Sequence, residues 1–139
     1  TLLGIREAIP FDAGVGRVGA LKAPETLAGF ASSAEEVLGT RVQILGDLGI
    51  SVSRVAVMGG SGGDSIALAA AQGADVLLTG EVKHSSAIDA MTLGISLIVA
   101  GHYETEAIVL EPLIKRLQND CFDVQYNLSR ADGSPFVRL

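Results

Sequence analysis

Between Val55 and Ala100 the chain alternates short apolar runs with amphipathic segments, and each apolar run is closed by small or polar residues. Val55–Met58, Val76–Leu78 and Ile95–Ala100 carry no charge, as expected of strands covered on both faces. Asp64–Gln72 and Lys83–Leu93 have helical length and stop at Gly73 and Gly94, residues that tolerate a left-handed helix end. A third helical stretch covers Ala107–Asn119, where Pro112 predicts a kink or a restart. This alternation predicts an α/β fold, a mainly parallel or mixed sheet with helices packed on it, in a single domain over residues 1–139.

The flanks are less regular. Thr1–Pro10 reads as short and irregular, and Val15–Leu21 as a weak strand. Ala23-Pro24-Glu25-Thr26 reads as a helix start, followed by helical spacing of Leu27, Phe30, Ala31, Ala34, Val37 and Leu38 up to Gly39. Arg41–Leu45 reads as a strand before a turn at Gly46-Asp47. Gly59–Gly63 reads as a loop with Asp64 as a helix N-cap, Cys121–Tyr126 as a last edge strand, and Ser129–Pro135 as a turn-rich tail.

Composition narrows the class. With 139 residues, 48% apolar and 19% charged, the chain suits one globular core. A net charge of -6, with no run of Lys or Arg, argues against a phosphate-backbone binder, so no nucleic-acid partner is expected. No stretch reaches the roughly 18 apolar residues that span a bilayer, and no signal peptide is read, so no membrane partner is expected. The lone Cys121 excludes an internal disulfide, fits a reducing, cytoplasmic setting and reads as a small buried core residue. A start on Thr1 rather than Met reads as a fragment or processed product.

Three strand ends carry the candidate chemistry. Gly59-Gly60-Ser61-Gly62-Gly63 has the look of a phosphate cradle, but it lacks Lys or Arg, and Asp64 at the following helix start would repel an anion. Its glycines also suit close backbone approach to a ligand or metal cluster. After Val76–Leu78, Glu81, Lys83 and His84 offer an acid/base, a charge partner and a ligand, or simply exposed charges at a helix start. After Ile95–Ala100, His102 and Glu106 stand four residues apart, a spacing that puts both on one helix face where they can converge on one cation. Their alternative is structural: acids favour a first helical turn, and His102 would serve as a cap. All three groups fall at strand carboxyl ends, where open α/β sheets keep their ligands.

Gly60-Ser61-Gly62-Gly63-Asp64, Gly73–His84 and Ala100–Glu106, in this order and spacing, resemble the type 2 GTP cyclohydrolase I homologue family, also called dinuclear metal-centre proteins. Gly14–Gly19 with Thr26-Leu27, and the ending Ser134-Pro135-Phe136, extend the resemblance over most of the chain. It implies one lobe, the carboxyl-terminal portion, of a two-lobed fold that binds two divalent ions (Zn, Fe or Mn) between its lobes. His102 matches a ligand to one ion and Glu106 a ligand to the pair. The matching His pair and Asp of the first lobe have no counterpart here, so weak or absent metal binding is expected of this chain alone. The resemblance also implies ring-shaped homohexamers. Two functions follow: a metal-dependent hydrolase of a nucleotide or other phosphorylated substrate, with Glu81 or His84 carrying protons, or a non-catalytic assembly or regulatory module.

Overall fold

In the computed structural model, which describes residues 3–129, 131 and 133–136, six strands form one mixed sheet. They are β1 (Arg6–Phe11), β2 (Gly16–Thr26), β3 (Gln43–Leu45), β4 (Ser51–Ser61), β5 (Val76–Glu81) and β6 (Ser96–Val99), in the spatial order β1-β2-β4-β5-β6-β3. The central trio β4, β5 and β6 is parallel, and the flanking pairs are antiparallel. The helices are α1 (Leu27–Leu38), α2 (Ile66–Ala71), α3 (His84–Leu93), α4 (His102–Ala107) and α5 (Leu110–Asp120). The expected α/β class and mixed sheet are therefore present.

Alternation of side chains along the strands builds two core layers. Val55, Val76, Leu78 and Ile98 face α1, whose Leu27, Phe30, Ala31 and Ala34 are buried against them. On the opposite face Val18, Ala56, Leu77 and Leu97 lie in register across four strands and pack with Ile66 of α2 and Ala90 of α3. Both faces of β5 are thus covered, which explains its unbroken apolar run. Asp75, just before β5, ties it to β4: one carboxylate oxygen accepts from the Ser53 and Arg54 backbone N–H groups at 2.8 Å and from the Ser53 hydroxyl at 3.0 Å.

Five sequence expectations are corrected. The irregular start contains β1, an edge strand interrupted by a register shift between Arg6 and Ile9. Its exposed side chains give no alternation to read. The helix expected from Ala23-Pro24 begins only at Leu27, because β2 runs on through Thr26. Pro24 falls where pairing with β4 is interrupted, so its missing N–H costs no ladder bond. Thr26 caps α1 by accepting from the Gly29 N–H at 3.1 Å. Asp64 lies in a 3-10 turn, Gly63–Ser65, that has no side-chain cap bond, so it is not the N-cap. Cys121–Tyr126 is not a strand: it joins none of the sheet's ladders, and Phe122 is 90% exposed. Cys121 is exposed too, and so is not the buried core residue expected.

Helix α5 buries none of its residues, although Leu110, Leu113, Ile114 and Leu117 share one face. No helix among the described residues is long and apolar enough to cross a membrane. Pro112 sits in the first turn of α5, so the third helical stretch restarts as predicted, after a break at Ile108-Val109. Asp75→Ala should lower unfolding free energy by about 1–3 kcal/mol, because two strand N–H groups lose a charged acceptor. Urea denaturation monitored by circular dichroism measures that loss.

Candidate functional site

The parallel register brings the ends of β4, β5 and β6 to one edge of the sheet, as the three strand-end motifs predicted. Gly59-Gly60 is part of β4 and not of a loop. It forms a bulge between the pairs Met58–Thr79 and Ser61–Glu81, with Gly60 at φ 67°, a device that re-aims the end of a strand. Helix α4 begins immediately after β6 and packs on the ends of β4 and β5.

The approach of α4 is close because two glycines face it. A Cβ on Gly80 would stand 2.6 Å from the Gly60 carbonyl oxygen and from Thr105 Oγ1, and 2.8 Å from His102 Cα. Hydrogen bonds fix the contact. The Gly60 N–H donates to Thr105 Oγ1 at 3.0 Å, and the Gly101 N–H donates to the Gly80 carbonyl at 2.8 Å. Buried Thr79 satisfies its hydroxyl on the Gly60 carbonyl at 3.2 Å. Thr105 was not singled out from sequence. A first-turn threonine looks like ordinary helix-start polarity until the Gly60 backbone is seen beside it.

This docking places three of the four sequence-predicted side chains together. His102 Nδ1 is 2.8 Å from Glu81 Oε1, and His102 Nε2 is 3.3 Å from Glu106 Oε2. All three line a cavity of about 440 Å³, whose walls include Tyr103, Glu104 and Phe136. The fourth residue, His84, opens α3, is exposed, and lies outside this lining.

Among the described residues, no group of three or more His, Cys, Asp or Glu side chains is arranged to hold a metal ion. The reason is visible in the ring: Glu81 and Glu106 meet opposite nitrogens, so the three do not converge on one point. The His102–Glu106 pair alone does fit. Two donors each about 2.1 Å from one ion, at a near-tetrahedral angle, stand roughly 3.4 Å apart. Gly60 leaves the space beside them open, since a Cβ there would come within 2.6 Å of Glu106 Oε1 and 3.1 Å of His102 Nε2.

The pKa of His102 is raised above 6.5, chiefly by its hydrogen bond to Glu81, with the Glu106 charge adding to it against some desolvation. A group whose folded pKa exceeds its unfolded value contributes stability that is full below about pH 6.5. That contribution is lost as pH rises through the folded pKa. Cation binding needs the neutral ring, so protons compete with a cation over the same range.

The comparisons with known proteins agree with this architecture. Residues 1–135 match the family model described as Duf34/NIF3 (NGG1p interacting factor 3). The GTP cyclohydrolase 1 type 2 homolog of Bacillus subtilis is 38% identical over 138 residues, which are 96% of this chain and 37% of that protein. Among solved structures, a Bacillus cereus protein related to NIF3 superposes with a TM-score of 0.77 at 31% identity, over 91% of this chain and 36% of that one. A Staphylococcus aureus protein, SA1388, does so with a TM-score of 0.82 at 31% identity, over 91% of this chain and 37% of that one. The chain belongs to the Duf34/NIF3 family, the grouping of the GTP cyclohydrolase 1 type 2 homologs, and spans little more than a third of the length of these relatives.

Two measurements test the geometry. Gly80→Ala should force α4 off the sheet and cost about 1–3 kcal/mol in denaturant unfolding, since the added methyl meets backbone atoms. His102 should titrate above pH 6.5 by proton NMR, and Glu81→Ala should bring its midpoint down; an unmoved midpoint contradicts the hydrogen bond.

Proposed function

We propose that this chain contributes part of a divalent-metal centre, with His102 and Glu106 as ligands, to a metal-dependent hydrolase acting on a nucleotide or other phosphorylated substrate. The observation that carries this reading is the His102–Glu106 pair, 3.3 Å apart at the carboxyl ends of three parallel strands, with a glycine backbone beside it. Such strand ends are where open α/β sheets hold ligands. The family name shared by the relatives points the same way. Two donors fall short of the four to six that such ions take, so the remaining ligands belong to polypeptide outside this chain, in a second lobe of the longer protein. Two ions, whether Zn, Fe or Mn, would lower the pKa of bound water and polarise the bond to be cleaved.

Within that arrangement His102 offers one neutral nitrogen, and Glu106 offers two oxygens from the same helix face. Of the two expected proton carriers, Glu81 or His84, Glu81 suits the role better: it lines the cavity and is hydrogen-bonded to His102, whereas His84 is outside the lining. A cytoplasmic setting is kept as part of the reading, supported by the single free thiol.

One observation favours the second reading, a non-catalytic ring-forming or regulatory module. The apolar face of α5 has no buried residue, which suits a surface for homo-oligomer assembly. The test is made on the longer protein that contains this chain. Loaded with Zn, Fe or Mn, it should bind metal and hydrolyse a nucleotide such as GTP, and His102→Ala should abolish both. Metal retained by His102→Ala refutes the ligand assignment, and bound metal without turnover of any nucleotide favours the assembly module.

A further inference from the structure

We propose that Glu81 is a positioning residue that holds the neutral His102 ring in one tautomer, with the proton on Nδ1, so that Nε2 presents its lone pair to Glu106 and the cavity. In its metal arm this rests on the reading above; the tautomer itself does not.

The two contacts of His102 differ in kind. Nδ1 and Glu81 Oε1 are 2.8 Å apart, the length of a charge-assisted hydrogen bond. Nε2 and Glu106 Oε2 are 3.3 Å apart, beyond that length. An ionised carboxylate only accepts, and a neutral imidazole has one N–H to give, so one of the two carboxylates goes without. The shorter contact takes the proton. Nε2 is then left as a lone pair facing a carboxylate oxygen at 3.3 Å, two electron-rich atoms. That arrangement is relieved by a positive charge, either a proton or a cation. A carboxylate behind a histidine, with the second nitrogen free, is the recurring device by which proteins fix the orientation and basicity of a metal-binding ring.

The backbone supports this division of labour. Glu81 ends β5, a central strand, and the Gly101 N–H to Gly80 carbonyl bond of 2.8 Å ties that strand to the residue preceding His102. Donor and acceptor therefore sit on elements locked to each other. Glu106, by contrast, shares α4 with His102 and can follow it. The Glu81–His102 pair spans 21 residues in sequence, whereas His102–Glu106 is a one-turn pair.

The test reads the ring directly. The chain has two histidines, so His84→Gln leaves one imidazole to observe. Long-range proton–nitrogen NMR, well above the titration range of His102, should show the Nδ1–H tautomer in the parent. Glu81→Ala should convert it to Nε2–H, now bonded to Glu106. Glu81→Gln should keep Nδ1–H, because the amide oxygen still accepts, and it serves as the control if the alanine variant folds poorly. An Nε2–H tautomer in the parent, or one unchanged by Glu81→Ala, overturns the proposal. In the longer protein, chelator competition with Zn²⁺ alone should show affinity about 10–100-fold weaker in Glu81→Ala and less weakened in Glu81→Gln. Unchanged affinity in Glu81→Ala overturns the positioning role even if the tautomer is correct. Zn²⁺ affinity that survives in His102→Ala sinks the metal reading instead and leaves the tautomer result standing.

Discussion

Helix α4 touches the sheet at backbone distance, and the arrangement of the site depends on that contact. A side chain at Gly80 would strike a carbonyl oxygen and the Cα of His102, so the first turn of α4 lies where it does only because that position lacks one. Gly60, in the β4 bulge, completes the cradle and binds its N–H to Thr105. With α4 held there, His102 reaches back to the end of β5 and forward to Glu106. Shift the helix by the width of a methyl group and the 2.8 Å contact with Glu81 is lost.

Much of the centre of the molecule was legible because several signals coincide there. β5 and α3 are bounded by apolar content on one side and by Gly73 and Gly94 on the other, both with positive φ. The His102–Glu106 pair was legible because a helix fixes which residues share a face. What escaped depends on non-local partners. The exposed β1, the extension of β2 past Pro24 and the strand character of Gly59-Gly60 are set by neighbouring strands, and a local pattern carries no record of them. The Cys121–Tyr126 segment failed in the opposite sense: it has strand-like composition but joins no strand of the sheet, and all of it except Tyr126 is exposed. Glu81 was singled out for its place at a strand end. Its bond to His102 follows from the parallel register of β5 and β6, which the sequence shows only as an order of motifs.

The charges at the site point in one direction. Glu81, Glu104 and Glu106 line the cavity together with a single imidazole. Glu81 and Glu106 raise the pKa of His102, so the simplest cation, a proton, is held there more strongly than by an isolated histidine.

The two outermost strands have a consequence for how copies of this chain can meet. β3 is only three residues long, and β1 is broken by an irregular register and carries Pro10, which has no N–H to offer. Both rims are therefore poor templates for an added strand. Short and irregular rims of this kind lower the tendency of an α/β unit to polymerise sheet to sheet into fibrils.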